Sequence, residues 1–199
     1  MKILGVSGSL RVDGSNTLTM VKVALDSARE CGAEVELLDL RKANLPLYEA
    51  EKGYNSDSVV VEVRKKVKDA DAYILGSPEY HGCMSGALKN FLDYHYKEFA
   101  GKLSGIVIAT GGTQGFTTLE QIRTAMQDCH CWTLPYHASA VEDDFDEKSN
   151  LLNKKVEERC KMVGRDVVFY GSILYDRFCQ DIKTASGWKS GFAQWHIPK

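Results

Sequence analysis

Three short stretches of this 199-residue chain gather glycines, hydroxyls and charged side chains in a way that suits an anion and a flat ring. The first is Gly8-Ser9-Leu10-Arg11-Val12-Asp13-Gly14-Ser15-Asn16-Thr17, between a short apolar run and a stretch of helical periodicity. Its glycines let the backbone come close to a ligand, and Ser9, Ser15, Asn16 and Thr17 offer polar groups. Backbone N–H groups together with the positive end of a following helix make an anion site. Arg11 can grip a phosphate through two parallel hydrogen bonds. The plainer alternative is that Ser15 or Asn16 caps the helix and Arg11 is solvated surface. The coincidence of strand, polar loop, arginine and helix start favours a phosphate. The stretch is neither a Gly-Lys-Ser/Thr phosphate loop nor a GxGxxG fingerprint, so a mononucleotide suits it better than ATP or a dinucleotide.

The second stretch runs from Ser77 to Asn90. Pro78 is expected to end the preceding strand and stiffen the turn. Tyr80 and Met84 can offer a face and a soft contact to a ring. His81 is a candidate acid or base, but it has no visible partner and reads more simply as a hydrogen-bonding loop residue. Cys83 reads as a small neutral loop residue rather than a reactive thiol. The third stretch is Thr110-Gly111-Gly112-Thr113-Gln114-Gly115, in which three glycines let backbone amides approach a ring edge. Taken alone, it reads as a tight turn.

The elements that must carry these loops alternate in type. Strands are expected at Lys2–Ser7, Glu34–Leu40, Ala72–Gly76, Ser104–Thr110 and Trp132–Val141, the last interrupted by Pro135. Helices are expected from Asn16 to about Arg29, Ser56 to Lys68, Gly86 to Phe99, Thr117 to Asp128 and Lys148 to about Tyr170. Five strands alternating with five helices imply right-handed crossovers and a parallel sheet covered on both faces, the doubly wound α/β class. In that class ligands sit outside the carboxyl ends of the strands, which is where all three loops lie. One domain spans 1–199, with 171–199 an extension that either packs, contacts a second subunit or covers the site.

Composition narrows the function classes. A formal net charge of −2 gives no electrostatic case for nucleic acid. No apolar run approaches the roughly 20 residues that cross a bilayer. MKILGVSG is too short before its Gly-Ser turn for a secretory signal, so the expected location is the cytoplasm. The six cysteines are scattered without a CxxC pair, and Cys129-His130-Cys131 lacks the second ligand pair of a structural zinc site. No metal is expected.

These residues resemble the NAD(P)H-dependent FMN reductases of the flavodoxin-like superfamily. The likeness rests on Gly8-Ser9-Leu10-Arg11 with Asn16, and on Pro78-Glu79-Tyr80 followed by Gly86, Leu88-Lys89-Asn90 and Asp93. It covers about the first 125 residues. It implies a five-stranded sheet of order 2-1-3-4-5 and FMN as cofactor, with the phosphate held by Ser9, Arg11, Ser15, Asn16 and Thr17. Pro78, Glu79, Tyr80, His81 and Gly82 would surround the isoalloxazine ring, with Gly111, Gly112 and Gly115 along its other edge. NADPH or NADH would stack on the flavin, in dimers or tetramers, and small acceptors such as flavins, quinones, azo compounds or metal oxyanions would be loosely selected. The chain departs from the family pattern at His81, Cys83, Ser85, Gly14 and Thr117.

On this reading a hydride passes from nicotinamide to FMN and then to an acceptor in the same place, and the protein supplies no nucleophile or general base. A flavodoxin-type single-electron carrier is the main alternative; Arg11 and the mild overall acidity argue against it. A non-catalytic FMN-dependent regulator is a third reading, and an iron–sulfur flavoprotein is disfavoured by the missing cysteine motif. A homo-oligomer is expected because Phe91, Leu92, Tyr94, Tyr96 and Phe99, with Trp188, Phe192 and Trp195 of the tail, offer more apolar surface than one sheet face can cover.

Overall fold

The computed structural model describes residues 1–199 apart from Lys52, Asn55, Ala185, Pro198 and Lys199. Its centre is a parallel sheet of β1 (Lys2–Ser7), β2 (Glu34–Asp39), β3 (Ala72–Tyr80) and β5 (Leu103–Ala109), extended beyond β5 by two short strands, β6 (Trp132–Thr133) and β7 (Ala138–Ala140). The order β2-β1-β3-β5-β6 reproduces the expected 2-1-3-4-5 topology, that of flavodoxin-like sheets. Among the described residues the strands number seven rather than five. The expected fifth strand is split around Pro135 into β6 and β7, both paired with β5. A two-residue strand, β4 (Cys83–Met84), folds back antiparallel on the end of β3.

The central strands are apolar on both sides because helices cover both faces. One face holds α1 (Asn16–Glu30) and α6 (Lys154–Thr184); the other holds α3 (Ser58–Asp69), α4 (Gly86–Asp93) and α5 (Phe116–Asp128). A single-turn helix, α2 (Leu40–Ala43), follows β2. In α1 the buried Met20, Val21, Ala24, Leu25 and Ala28 recur at helical spacing, and Ser15 caps the start by accepting from Leu18 N at 3.2 Å. Asp57 does the same for α3, whose Val60, Val63 and Val67 face the core as the spacing predicts. Close approach of α6 to α1 requires glycine: a Cβ on Gly164 would lie 2.0 Å from the Ala24 carbonyl oxygen.

Three boundaries differ from expectation for physical reasons. The third strand does not stop at Pro78 but runs on to Tyr80. Gly8 N donates to Gly76 O, so residue 78 faces the same side, where β1 has already ended and no neighbour needs the missing N–H. The fourth helix ends at Asp93, and Phe99 belongs to a separate 3-10 turn, Lys97–Phe99. The final helix starts at Lys154 and continues past Tyr170 to Thr184.

Four of the eight residues invoked for self-association are buried within the chain itself. Phe91, Leu92, Tyr94 and Phe99 lie in its core clusters, and only Tyr96 of that group is exposed. The surface-excess argument for an oligomer therefore falls on those four. The tail forms a 3-10 segment, Gly187–His196, with Trp188 and Trp195 exposed. Phe192 stacks on Phe178 at 5.3 Å, Phe178 abuts Gly101, and His196 Nε2 meets His130 Nδ1 at 2.7 Å. Gly101 and His130 precede β5 and β6, so the tail packs at the amino ends of the strands and does not cover their carboxyl ends.

Candidate functional site

At the carboxyl edge of the sheet the loops after β1, β3 and β5 converge on a cleft of about 240 Å³. Its walls are Ser9, Arg11, Asn16 and Thr17 from the first loop, Pro78, Glu79 and Tyr80 from the end of β3, and Ala109, Thr110 and Gly111 from the end of β5. Glu142, which follows β7, closes one side. Eight of the thirteen residues singled out in the sequence thus line one cavity: Ser9, Arg11, Asn16, Thr17, Pro78, Glu79, Tyr80 and Gly111. The other five stand beside it. Ser15 spends its hydroxyl on the cap of α1, and His81 and Gly82 form the tip of a hairpin. Gly112 and Gly115 shape the third loop without lining the cleft.

The first loop is tightly set. Gly8 N donates to Gly76 O at 2.8 Å, and Ser85 Oγ donates to Gly8 O at 2.7 Å while accepting from Leu88 N at 3.1 Å. A Cβ on Gly8 would come within 2.9 Å of both Leu88 Cβ and Ser85 Oγ, so only glycine fits. Ser9 is buried, and its hydroxyl accepts from Arg11 N at 3.3 Å. That bond turns the chain so that the exposed Arg11 stands on the rim, one turn before the positive end of α1.

His81 and Gly82 have φ values of 53° and 73°. With Tyr80 paired to Cys83, they form a two-residue hairpin whose turn needs positive φ at both positions, one reason glycine is there. Gln121 of α5 holds this hairpin: its Oε1 accepts from Met84 N at 3.2 Å and its Nε2 donates to Gly82 O at 3.4 Å. The hairpin leaves Tyr80 half exposed on the lip of the cleft.

The third loop is pinned by side chains rather than by its own glycines. Thr110 Oγ1 donates to Thr113 O at 2.7 Å, Gly115 N donates to Thr113 Oγ1 at 3.2 Å, and Thr113 Oγ1 donates to Glu79 Oε1. The other carboxylate oxygen of Glu79 accepts from Thr118 Oγ1 at 2.9 Å. Gly111 has open space where a Cβ would sit, a cradle that a side chain would fill.

A larger groove of about 1010 Å³ runs between α4 and α5, past Cys83, Met84, His95 and Cys129. It carries no glycine loop and no arginine. Burial lowers the His95 imidazole to about 4 and raises the Cys129 thiol to about 11. Cys131 is buried too, its thiol pushed up to about 12, and it donates to Lys102 O at 3.2 Å. These groups are held neutral and are poor candidates for redox or metal chemistry. The convergent polar loops make the smaller cleft the candidate site.

Sequence reasoning did not assign Ala109, Thr110 or Glu142 to the cleft. Thr110 lies inside the third loop, and Glu142 could have been found by applying the carboxyl-edge rule to the fifth strand as well.

The model of the NADPH-dependent FMN reductase family matches residues 1–146. The chain belongs to this family. It is 33% identical over 175 residues to an NAD(P)H-dependent FAD/FMN reductase of Geobacillus thermodenitrificans, covering 84% of this chain and 92% of that one. An NADPH azoreductase of a Bacillus species is 34% identical over 137 residues, or 68% of this chain and 74% of its own. Among solved structures, the apo form of an NADH:FMN oxidoreductase superposes with a TM-score of 0.72 at 19% identity, over 85% of this chain and 89% of that one, a likeness of fold. This family member is therefore an oxidoreductase that uses FMN and takes its electrons from NAD(P)H. No helix among the described residues is long and apolar enough to cross a membrane.

Proposed function

We propose that the cleft at the carboxyl edge holds FMN and that NAD(P)H and a small acceptor meet it there in turn. The observation that carries this is the convergence of a hydroxyl-rich loop, an arginine, a helix start and a glycine loop on one cavity. Ser9, Arg11, Asn16 and Thr17 would hold the phosphate, with Ser15 fixing the helix that presents its amides. Pro78, Glu79 and Tyr80 would support the ring, with His81 and Gly82 at its outer edge. Gly111 would let backbone amides reach the opposite edge, in a loop shaped by Gly112 and Gly115. The residues fit the group: buried hydroxyl, exposed guanidinium and side-chain-free cradle stand where an anionic tail and a flat ring need them.

When bound, FMN supplies hydride acceptance from nicotinamide and hydride donation to the acceptor. The protein's part is to anchor the phosphate, orient the ring and place N–H dipoles where charge develops. Tyr80 is the single large aromatic side chain in the cleft wall, so the second substrate has room to lie flat. A site of that kind selects its acceptor loosely, and relatives named for azo compounds and quinones point to flat conjugated acceptors. We also infer a cytoplasmic protein, one domain over 1–199 with 171–199 as an extension, and a homodimer or homotetramer.

Titrating apo-protein with FMN and with riboflavin tests the site. Arg11→Ala should weaken FMN by about 1.5–3 kcal/mol, the range for a hydrogen bond to a charged group, and leave riboflavin unchanged. Anaerobic NADH or NADPH should then bleach the bound flavin. Equal affinity of the wild type for FMN and riboflavin refutes the phosphate assignment. Failure of both nicotinamides to reduce the flavin favours the electron carrier.

A further inference from the structure

The glycine loop Gly111–Gly115 has little intrinsic order: Gly112 and Gly115 sit at φ values of 147° and 70°. Its shape depends on Thr113, whose carbonyl accepts from Thr110 and whose hydroxyl accepts from Gly115 N and donates to Glu79. Glu79 itself belongs to β3, and its second oxygen accepts a hydrogen bond from the hydroxyl of the fully buried Thr118 in the first turn of α5. Gly115 begins that helix without a side-chain cap, so the Glu79 carboxylate is the anion placed at its positive end. One side chain therefore clasps three elements, the end of β3, the glycine loop and the start of α5. It does so at the wall of the cleft, and its hydrogen-bond donors are neutral hydroxyls rather than a cation.

We propose that Glu79 is a positioning residue for the flavin: its clasp on Thr113 and Thr118 holds the loop that meets the ring edge, and its negative charge, met by hydroxyls and a helix start rather than by a paired cation, opposes reduction of that ring. The proposal rests on FMN occupying this cleft. Two consequences separate. Geometry governs how well either redox form binds, because a loosened loop presents its amides poorly to both. Charge governs the ratio between them, because a carboxylate beside the ring disfavours the form that has gained electrons. Keeping the potential low makes the bound flavin a stronger reductant for poor acceptors.

Two substitutions isolate the two effects. Glu79→Gln keeps an acceptor and a donor for the threonine hydroxyls while removing the charge. Thr113→Val removes the loop's hold on the carboxylate while keeping the charge. Apo-protein is titrated with oxidised FMN and with riboflavin, and the potential of bound FMN is read by equilibration with a reference dye. Glu79→Gln should bind oxidised FMN nearly as well as wild type and favour the reduced form by about tenfold, roughly 30 mV upward for a two-electron couple. Thr113→Val removes two hydrogen bonds of the loop, to Glu79 and from Gly115 N, and should weaken FMN and riboflavin alike, by about three- to tenfold, with the ratio unmoved. A Glu79→Gln ratio equal to that of wild type overturns the charge role, and unaltered riboflavin binding by Thr113→Val overturns the clasp. Should Glu79→Gln fail to fold, the ratio is read instead in Glu79→Met, which removes the same charge, and the Thr113→Val titration decides the clasp. Wild-type protein that binds no FMN refutes the reading of the cleft instead, and is seen before any variant is made.

Discussion

Ser85 offers a quantitative test of how the fold sets the loop after β1. Its hydroxyl makes two bonds at once, donating to the Gly8 carbonyl at 2.7 Å and accepting from Leu88 N at 3.1 Å at the start of α4. Replacing it with alanine removes an N-cap, at a cost of about 1 kcal/mol. It also leaves the Gly8 carbonyl buried without its donor, at about 1–3 kcal/mol. Ser85→Ala should therefore lose about 2–4 kcal/mol, or roughly 4–16 °C in Tm at this chain length. Chemical denaturation of the apo-protein measures this directly, with an unchanged denaturant slope showing that only stability moved. Ser85→Gly separates the two parts, because glycine at an N-cap costs only a few tenths of a kcal/mol. If the tie to Gly8 dominates, glycine is nearly as damaging as alanine, and FMN affinity falls with it because the loop is no longer fixed. A loss below about 0.5 kcal/mol in Ser85→Ala, the range of ordinary surface changes, refutes the reasoning.

Two further outcomes follow from parts of the molecule away from the cleft. Burial pushes the Glu36 carboxyl up, but hydrogen bonds from the Lys2 and Lys66 ammonium groups outweigh it and hold the group below the usual carboxylate range. Its contribution is thus present above the unfolded value near 4.3 and lost as pH falls through the lower folded value. Glu36→Gln should cost about 1 kcal/mol at pH 7, with the gap to wild type closing in acid when stability is followed against pH. In the tail, the half-buried Phe192 stacks on Phe178 at the amino end of the sheet. Phe192→Ala should cost about 1–2 kcal/mol, less than a fully buried phenylalanine, and leave FMN affinity unchanged; a tenfold loss of affinity would mean the tail reaches a flavin site in an assembly.

Much of the fold was legible because periodicity is strongest where a face is buried. Val60, Val63 and Val67 mark α3 unambiguously, and the apolar runs of β1, β3 and β5 mark strands covered on both sides. The errors cluster where one residue serves two purposes. The helix expected to end near Tyr170 runs on through Gly171, where glycine is needed because a Cβ would meet Met1 Cε at 2.8 Å and Ala72 Cβ at 3.4 Å. Beyond it, Tyr175, Phe178 and Ile182 keep helical spacing against the tail. Pro78 reads as a strand breaker, yet it costs nothing where the neighbouring strand has already stopped. A residue's local preference was overruled each time by what stood opposite it.

The candidate site divides along the same line. Residues that act through their type were visible: the glycines, the arginine at a helix start, the Ser and Thr hydroxyls, the Pro-Glu-Tyr run. Residues that act through a partner were not. Ser85 looks like an ordinary cap until Gly8 is found above it, 77 positions away in sequence. Thr113 and Thr118 look like turn and helix residues until the end of β3 brings Glu79 to them across 34 and 39 positions. Glu79 itself was assigned to the ring by resemblance, whereas its carboxylate is engaged with the loop that would face the ring. The parallel crossover explains why such pairings escape a linear reading. It brings the ends of β1, β3 and β5 side by side in space while whole helices, and between β1 and β3 also β2, separate them in sequence, so each loop's rigidity is supplied by another loop's side chains.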